Sequence, residues 1–240
     1  MYSKGWSSKV QDSYSKKDND AGSYDNSDWV EKQKTRIRNI SDEIEISKER
    51  NKLLISEIEK IEKNSVIILD LGGGFGLSYH PLRSQTTKNL KYNIVEVPKV
   101  VDSARTFYKE HKELFFYKEL SSCTEDIDLC YVRTALQYFK DWKATLEEIC
   151  EKKPDKIVLC DTAAGPINTF LTYQYWGDEK IPYWFINSAE LIKTIEAKGY
   201  KCIKKEISQD ITNNKSFEGL KKYPEKNRIK TLLNFVFEKK

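Results

Sequence analysis

Trp29, Val30, Gln33, Ile37 and Ile40 repeat at helical spacing, a mostly apolar pattern that brings them to one face of a helix. Asp25, Asn26 and Ser27 stand just before them as candidate N-caps. A second helical pattern runs from about Ser41 to Lys63, with Ile44, Leu53, Leu54, Ile58 and Ile61 on its apolar side. After Asn64 the period changes. VIILDL (66–71) is a short, β-branched apolar run, as expected of a strand covered on both faces. Ahead of all this, residues 1–28 are rich in Ser, Asp, Asn, Lys and Gly. They read as loop or poorly ordered chain unless Trp6, Tyr14 and Tyr24 anchor it.

The remaining pattern alternates. YNIVEV (92–97), LFFYKEL (114–120), IDLCYV (127–132) and KIVLCDT (156–162) read as further strands. A helix is expected from Leu77 or after, with others over VVDSARTFYKEH (100–111), ATLEEICEK (144–152) and NSAELIKTIEAK (187–198). Gly199 stands at the last helix's stop. YKCIKKEIS and LLNFVFEK close the chain as two strands with no helix between them, so they pair antiparallel at an edge. Strand alternating with helix implies an α/β fold, a mostly parallel sheet with helices on both faces. The expected organisation is an N-terminal extension over 1–64, irregular and then helical, packing on the core or acting as a lid. One α/β domain over 65–240 follows.

The first strand runs into Asp70-Leu71-Gly72-Gly73-Gly74-Phe75-Gly76, a D-x-G-x-G-x-G sequence. The chain must turn sharply from strand to helix while a ligand approaches its backbone, and glycine permits both. The N–H groups beyond face that ligand. Glu96 ends the next strand about 20 residues on, where a carboxylate accepts the ribose hydroxyls of a nucleoside. Dinucleotide enzymes use the same logic. Their G-x-G-x-x-G fingerprint, started at Gly72, requires glycine at 77, and the residue there is Leu77.

In open α/β sheets ligands lie beyond the carboxyl ends of the strands. This adds Val97, Leu120, Arg133 and Thr134 to the candidates. Composition agrees with a soluble globular protein: 39 % of residues are hydrophobic and 32 % charged. No apolar run reaches the roughly 18–20 residues that span a bilayer. MYSKGWSSKV lacks the apolar core of a signal peptide, so a cytoplasmic location is expected. The five cysteines form no CxxC pair and read as small buried thiols, with no metal site. A net charge of +4, spread as alternating signs, does not make a nucleic-acid stripe.

Asp70 before the glycines, Leu77 after them and Glu96 together resemble class I S-adenosylmethionine-dependent methyltransferases, over residues 65–240. The resemblance implies a Rossmann-like seven-stranded sheet, mostly parallel with the last strand antiparallel. It implies S-adenosylmethionine as cofactor, held by Asp70, Gly72, Gly73, Gly74, Gly76, Glu96, Val97, Leu120, Arg133 and Thr134, with S-adenosylhomocysteine as product. LQYFKDW (136–142), CDTAAG (160–165) and IPYWFIN (181–187) are similar to an uncharacterised bacterial methyltransferase family associated with surface-polysaccharide genes. Gly5-Trp6 and Gly22-Ser23-Tyr24-Asp25 fit that family's opening segment. This second resemblance implies a sugar or glycan hydroxyl as acceptor.

Residues 165–187 crowd seven aromatic side chains between the fifth strand and the next helix. They read either as a lid that stacks on a substrate or as a satellite core or dimer interface. The substrate candidates are Gln137, Tyr173, Gln174, Trp176, Tyr183 and Trp184; Gln137 suits helix packing equally. A hydroxyl acceptor benefits from a base. Asp161, following the fifth strand, is the first candidate and His80 the second, and each reads as well as a cap, turn or surface residue. The CxxxCxxC of radical enzymes and the Pro-Cys of cytosine-C5 enzymes are absent, and VRTALQYF replaces the amino-methylating motif after the fourth strand. Two other readings stay open: a nucleic-acid or small-molecule methyltransferase, and a cofactor-binding regulator without catalysis. The oligomeric state, with a homodimer as one option, is left open.

Overall fold

A computed structural model describes residues 3–7, 9–13, 24–41, 44–176, 179–209, 220–221 and 223–240. Seven strands form one mixed sheet: β2 (Ser65–Leu71), β3 (Asn89–Val95), β4 (Leu114–Tyr117), β5 (Leu129–Arg133), β6 (Lys156–Thr162), β10 (Tyr200–Ile207) and β11 (Leu233–Lys239). Their order is β10-β11-β6-β5-β2-β3-β4. β2 pairs parallel with β3 and β5, β3 pairs parallel with β4, and β10 pairs antiparallel with β11. This is the expected Rossmann-like sheet. Its central strands are buried along nearly their whole length, as sheets covered on both faces require.

Contacts divide the chain into two compact units, one of residues 24–133 and 152–158, the other of residues 1–23, 134–151 and 159–240. The 1–64 stretch is therefore shared between them.

In the first unit, α1 (Ser27–Arg38) starts at Asn26, whose Oδ1 accepts the N–H of Trp29 at 2.8 Å. Val30, Gln33 and Ile37 form its buried face. The 41–63 pattern resolves into two helices, α2 (Ile44–Arg50) and α3 (Lys52–Glu59), instead of one. Asn51 breaks it: its Nδ2 donates to the Ser47 carbonyl at 2.7 Å and its Oδ1 accepts from Tyr131 at 3.2 Å. α4 is a single short turn (Tyr79–Arg83), and α5 (Pro98–Phe107) opens on a proline, which needs no N–H partner. Buried Glu57 is neutralised by Lys60 at 2.5 Å and Lys156 at 3.0 Å.

The second unit departs most from what the sequence predicts. Most of the described residues between 165 and 187 form strands rather than a loop. β8 (Phe170–Trp176) and β9 (Glu179–Asn187) make an antiparallel hairpin. β1 (Ser3–Trp6), expected to be loop, adds to β8, and β7 (Ala164–Gly165) adds parallel to β9. Trp6, Phe170, Tyr183, Phe185 and Tyr223 share a buried cluster under this four-stranded sheet. Helices α6 (Trp142–Glu151) and α7 (Ser188–Glu196) belong to the same unit. α7 is capped by Asn187, and Gly199 follows it at φ +91°. The five cysteines are free thiols. Among the described residues no helix is long and apolar enough to cross a membrane.

Candidate functional site

β2 delivers Asp70 to the base of the glycine turn. Gly72, Gly74 and Gly76 adopt φ of +76°, +58° and +79°, the left-handed region that other residues enter at a cost. Gly73 is required for a different reason. A Cβ there would lie 2.4 Å from Asp70 Oδ2, so the carboxylate is tucked directly beneath the loop. The turn is stitched by Gly72 N–H to Val95 O at 2.9 Å and Gly76 N–H to Gly73 O at 3.0 Å.

Asp70 is buried, and Tyr92 donates to its Oδ2 at 2.8 Å. Burial pushes its pKa up to about 7, with the charge of Glu96 adding to the rise and the Tyr92 hydroxyl and Arg133 opposing it. Glu96 is half-buried at the end of β3. Its Oε1 accepts the N–H of Gly74 at 3.2 Å and its Oε2 the N–H of Val97 at 2.7 Å. Burial raises its pKa too, against those two backbone donors. Leu120 is buried in a short turn (Leu120–Ser122) after β4, and Arg133 ends β5. One unit thus gathers Asp70, the four glycines, Glu96, Val97, Leu120 and Arg133. The glycine cradle, which a single Cβ would obstruct, and a carboxylate bound to its rim fit a nucleoside ligand.

His80 lies in α4 of the same unit. Its Nε2 is 3.0 Å from the Tyr108 hydroxyl, which itself donates to Phe75 O. Burial, with a smaller effect of His111, lowers its pKa to about 4, so the ring is neutral near pH 7.

The other unit holds the remaining candidates. Thr134 and Asp161, at φ +50° and +51°, are both in the left-handed region although neither is glycine. They are neighbours: Thr134 N–H donates to Cys160 O at 3.1 Å. Asp161 is buried, its N–H donates to Asn234 Oδ1 at 2.9 Å, and its Oδ1 accepts from Ser208. Gln137 is hydrogen-bonded to Tyr183, whose hydroxyl is held protonated by burial first and by the nearby Tyr138 and Asp161 as well. Gln137 Oε1 is buried without a hydrogen-bond partner among the described residues. Tyr138 donates to Gln174 Oε1 at 3.1 Å and packs edge-on against Tyr183.

The aromatic candidates of the hairpin are mostly core. Tyr173 donates to Gln11 Oε1 at 2.8 Å with Lys180 over its ring, and Trp184 Nε1 donates to Lys140 O at 3.3 Å. Trp176 ends β8, and its side chain lies outside the described residues.

One residue was not among the sequence candidates. Gln33 of α1 is 2 % exposed, and its Oε1 lies 2.9 Å from the point where a Gly74 side chain would begin. An amide inside an otherwise apolar helical stripe was the available signal.

No protein-family model and no curated protein matches the chain. Solved structures do. The magnesium protoporphyrin IX methyltransferase of Synechocystis, solved with bound S-adenosylmethionine, superposes with a TM-score of 0.60 at 13 % identity, covering 95 % of this chain and all (100 %) of that one. A Haloferax volcanii protein solved in complex with the Trm112 methyltransferase activator gives 0.59 at 15 % identity, over 92 % of this chain and 97 % of that one. The 1,6-didemethyltoxoflavin N1-methyltransferase of Burkholderia thailandensis, solved with S-adenosylhomocysteine, gives 0.57 at 11 %, over 86 % of each chain. The chain therefore has the fold of S-adenosylmethionine-dependent methyltransferases.

Proposed function

We propose that this chain is an S-adenosylmethionine-dependent methyltransferase acting on a hydroxyl of a sugar, a glycan intermediate or another small molecule. The observation that carries the cofactor is the glycine turn at 72–76, set between buried Asp70 and a Glu96 carboxylate that grips the Gly74 N–H. Asp70, Gly72, Gly73, Gly74, Gly76, Glu96, Val97, Leu120, Arg133 and Thr134 would hold it. When bound, it supplies a methyl group on a positively charged sulfur, already activated for displacement.

The protein's own work is then to orient the acceptor, exclude water and take a proton. We assign the proton to Asp161. Its carboxylate is buried and fixed by Ser208, and its left-handed backbone is the sort of strain that accumulates at functional sites. Gln137, with an unpaired buried oxygen, supplies an acceptor for the same hydroxyl, and Tyr183 sets the amide's orientation. Tyr173, Gln174, Trp176 and Trp184 would shape the surroundings. His80 ranks behind Asp161, because burial lowers its basicity and Tyr108 engages its ring. The sugar preference rests on the likeness of LQYFKDW, CDTAAG and IPYWFIN to a polysaccharide-associated family.

Calorimetry with S-adenosylhomocysteine and NAD in parallel tests the cofactor. Binding of the first and not the second is expected; no binding of S-adenosylhomocysteine refutes the reading. Product release over a panel of free sugars and nucleotide sugars tests the acceptor, and turnover confined to non-sugar hydroxyls would remove the glycan preference.

A further inference from the structure

The segment leading into α1 spans the nucleoside cradle. At its start, Asp25 Oδ1 accepts the N–H of Lys99 at 2.8 Å, just beyond Glu96 and Val97. Two helical turns later Gln33 reaches Gly74, on the crown of the glycine turn. Trp29 lies between them, four residues from each, on the same side of the helix as Gln33.

Two polar groups on this side lack partners among the described residues. The Gln33 amide makes no hydrogen bond there although the residue is buried. The Trp29 indole N–H is also buried and unpaired. Native proteins seldom leave a buried donor such as the Trp29 N–H unmet, because it has given up its bonds to water. Packing alone would be served better by leucine at position 33. The amide instead meets a loop whose side chains have been removed to admit a ligand.

We infer that α1 is part of the binding site and that the Gln33 amide holds the amino-acid end of the bound nucleoside. This rests on the cofactor reading above. The amino-acid end carries a carboxylate, which needs a donor, and an ammonium, which needs an acceptor. A glutamine amide offers both from one side chain. Glu96, on the other side of Gly74, offers only acceptors when ionised and suits the ribose diol. Gln33 therefore divides the work with Glu96.

The test compares S-adenosylhomocysteine with 5′-methylthioadenosine, which has the same thioether nucleoside but no amino acid. Both are titrated calorimetrically into the full-length wild type and into Gln33→Leu, with thermal unfolding as the fold control. Gln33→Leu is expected to weaken S-adenosylhomocysteine about tenfold. It leaves 5′-methylthioadenosine within about twofold and does not lower the melting temperature. Gln33→Asn, which keeps the amide but withdraws it by one methylene, gives a loss of the same selectivity and covers the case in which leucine misfolds. Unchanged affinity of the variants for S-adenosylhomocysteine overturns the inference alone, as does an equal loss for both ligands. A wild type that binds neither ligand overturns the cofactor reading and the inference with it.

Discussion

The Asp70 carboxylate lies so close beneath Gly73 that a Cβ on the glycine would stand 2.4 Å from Oδ2. Real Cβ atoms essentially never make so short a contact, so Gly73→Ala must move either the loop or the buried acid. The acid is anchored by Tyr92 at 2.8 Å, which leaves the loop to move. The expected result is a fall of at least about tenfold in S-adenosylhomocysteine affinity by calorimetry, equivalent to about 1.4 kcal/mol. Affinity equal to the wild type would mean that the ligand does not depend on this turn.

Asp70 also predicts a pH dependence of stability. Its carboxyl titrates near 4 in the unfolded chain and at about 7 in the fold, because burial disfavours the charge. Between those values the folded state binds more protons than the unfolded one, so stability falls as pH rises from about 4 to about 7. Every tenfold change in proton affinity is worth about 1.4 kcal/mol, which puts the full effect at about 4 kcal/mol at most. Asp70→Asn removes the titration and retains an acceptor for Tyr92. Chemical denaturation at several pH values should show a flatter profile for the variant across that window. Parallel profiles would assign the slope to other groups.

The strand, turn and carboxylate of the proposed cofactor site are legible in sequence because each obeys a local rule. A short β-branched run, glycines at fixed spacing and an acid at the next strand end need no knowledge of distant residues. The second sheet follows no such rule. Ser3 pairs with Trp176 and Gln11 with Leu171, far along the chain, and residues 170–174 and 181–186 are buried at consecutive positions, so they show no alternation. The helix break at Asn51 is hidden for a similar reason, since Tyr131 helps to hold that side chain. Gln33 was visible as a polar residue in an apolar stripe, but only the placement of Gly74 gives it a task.

Trp6 shows what the opening segment contributes. It is 4 % exposed, with its ring 4.7 Å from that of Tyr183 and 5.1 Å from that of Phe185. β1 pairs with β8 through its backbone, and just beyond it the Ser7 carbonyl receives the Tyr223 hydroxyl. Trp6→Ala should therefore cost about 3–5 kcal/mol of unfolding free energy, as other buried aromatic truncations do. Urea denaturation followed by far-ultraviolet circular dichroism measures it. A loss below about 0.5 kcal/mol, the range of surface changes, would show that the segment is not part of the core.

Asp161 carries two burdens that a pair of substitutions separates. Its side chain receives the Ser208 hydroxyl, and its backbone sits at φ +51°. Asparagine keeps an oxygen for Ser208 and tolerates the left-handed region better than most residues. Asp161→Asn should therefore unfold within about 1 kcal/mol of the wild type. Asp161→Ala removes the acceptor that the buried Ser208 hydroxyl uses and puts a side chain without an oxygen in the same strained turn, and should lose about 1–3 kcal/mol. Catalysis should sort them differently. Neither variant can accept a proton, so both should lose turnover on a hydroxyl acceptor by about 10²–10⁴-fold, the usual contribution of a positioned base. An asparagine variant that is stable and as active as the wild type would make Asp161 a structural clamp for Ser208 and Asn234 and return the base to another group.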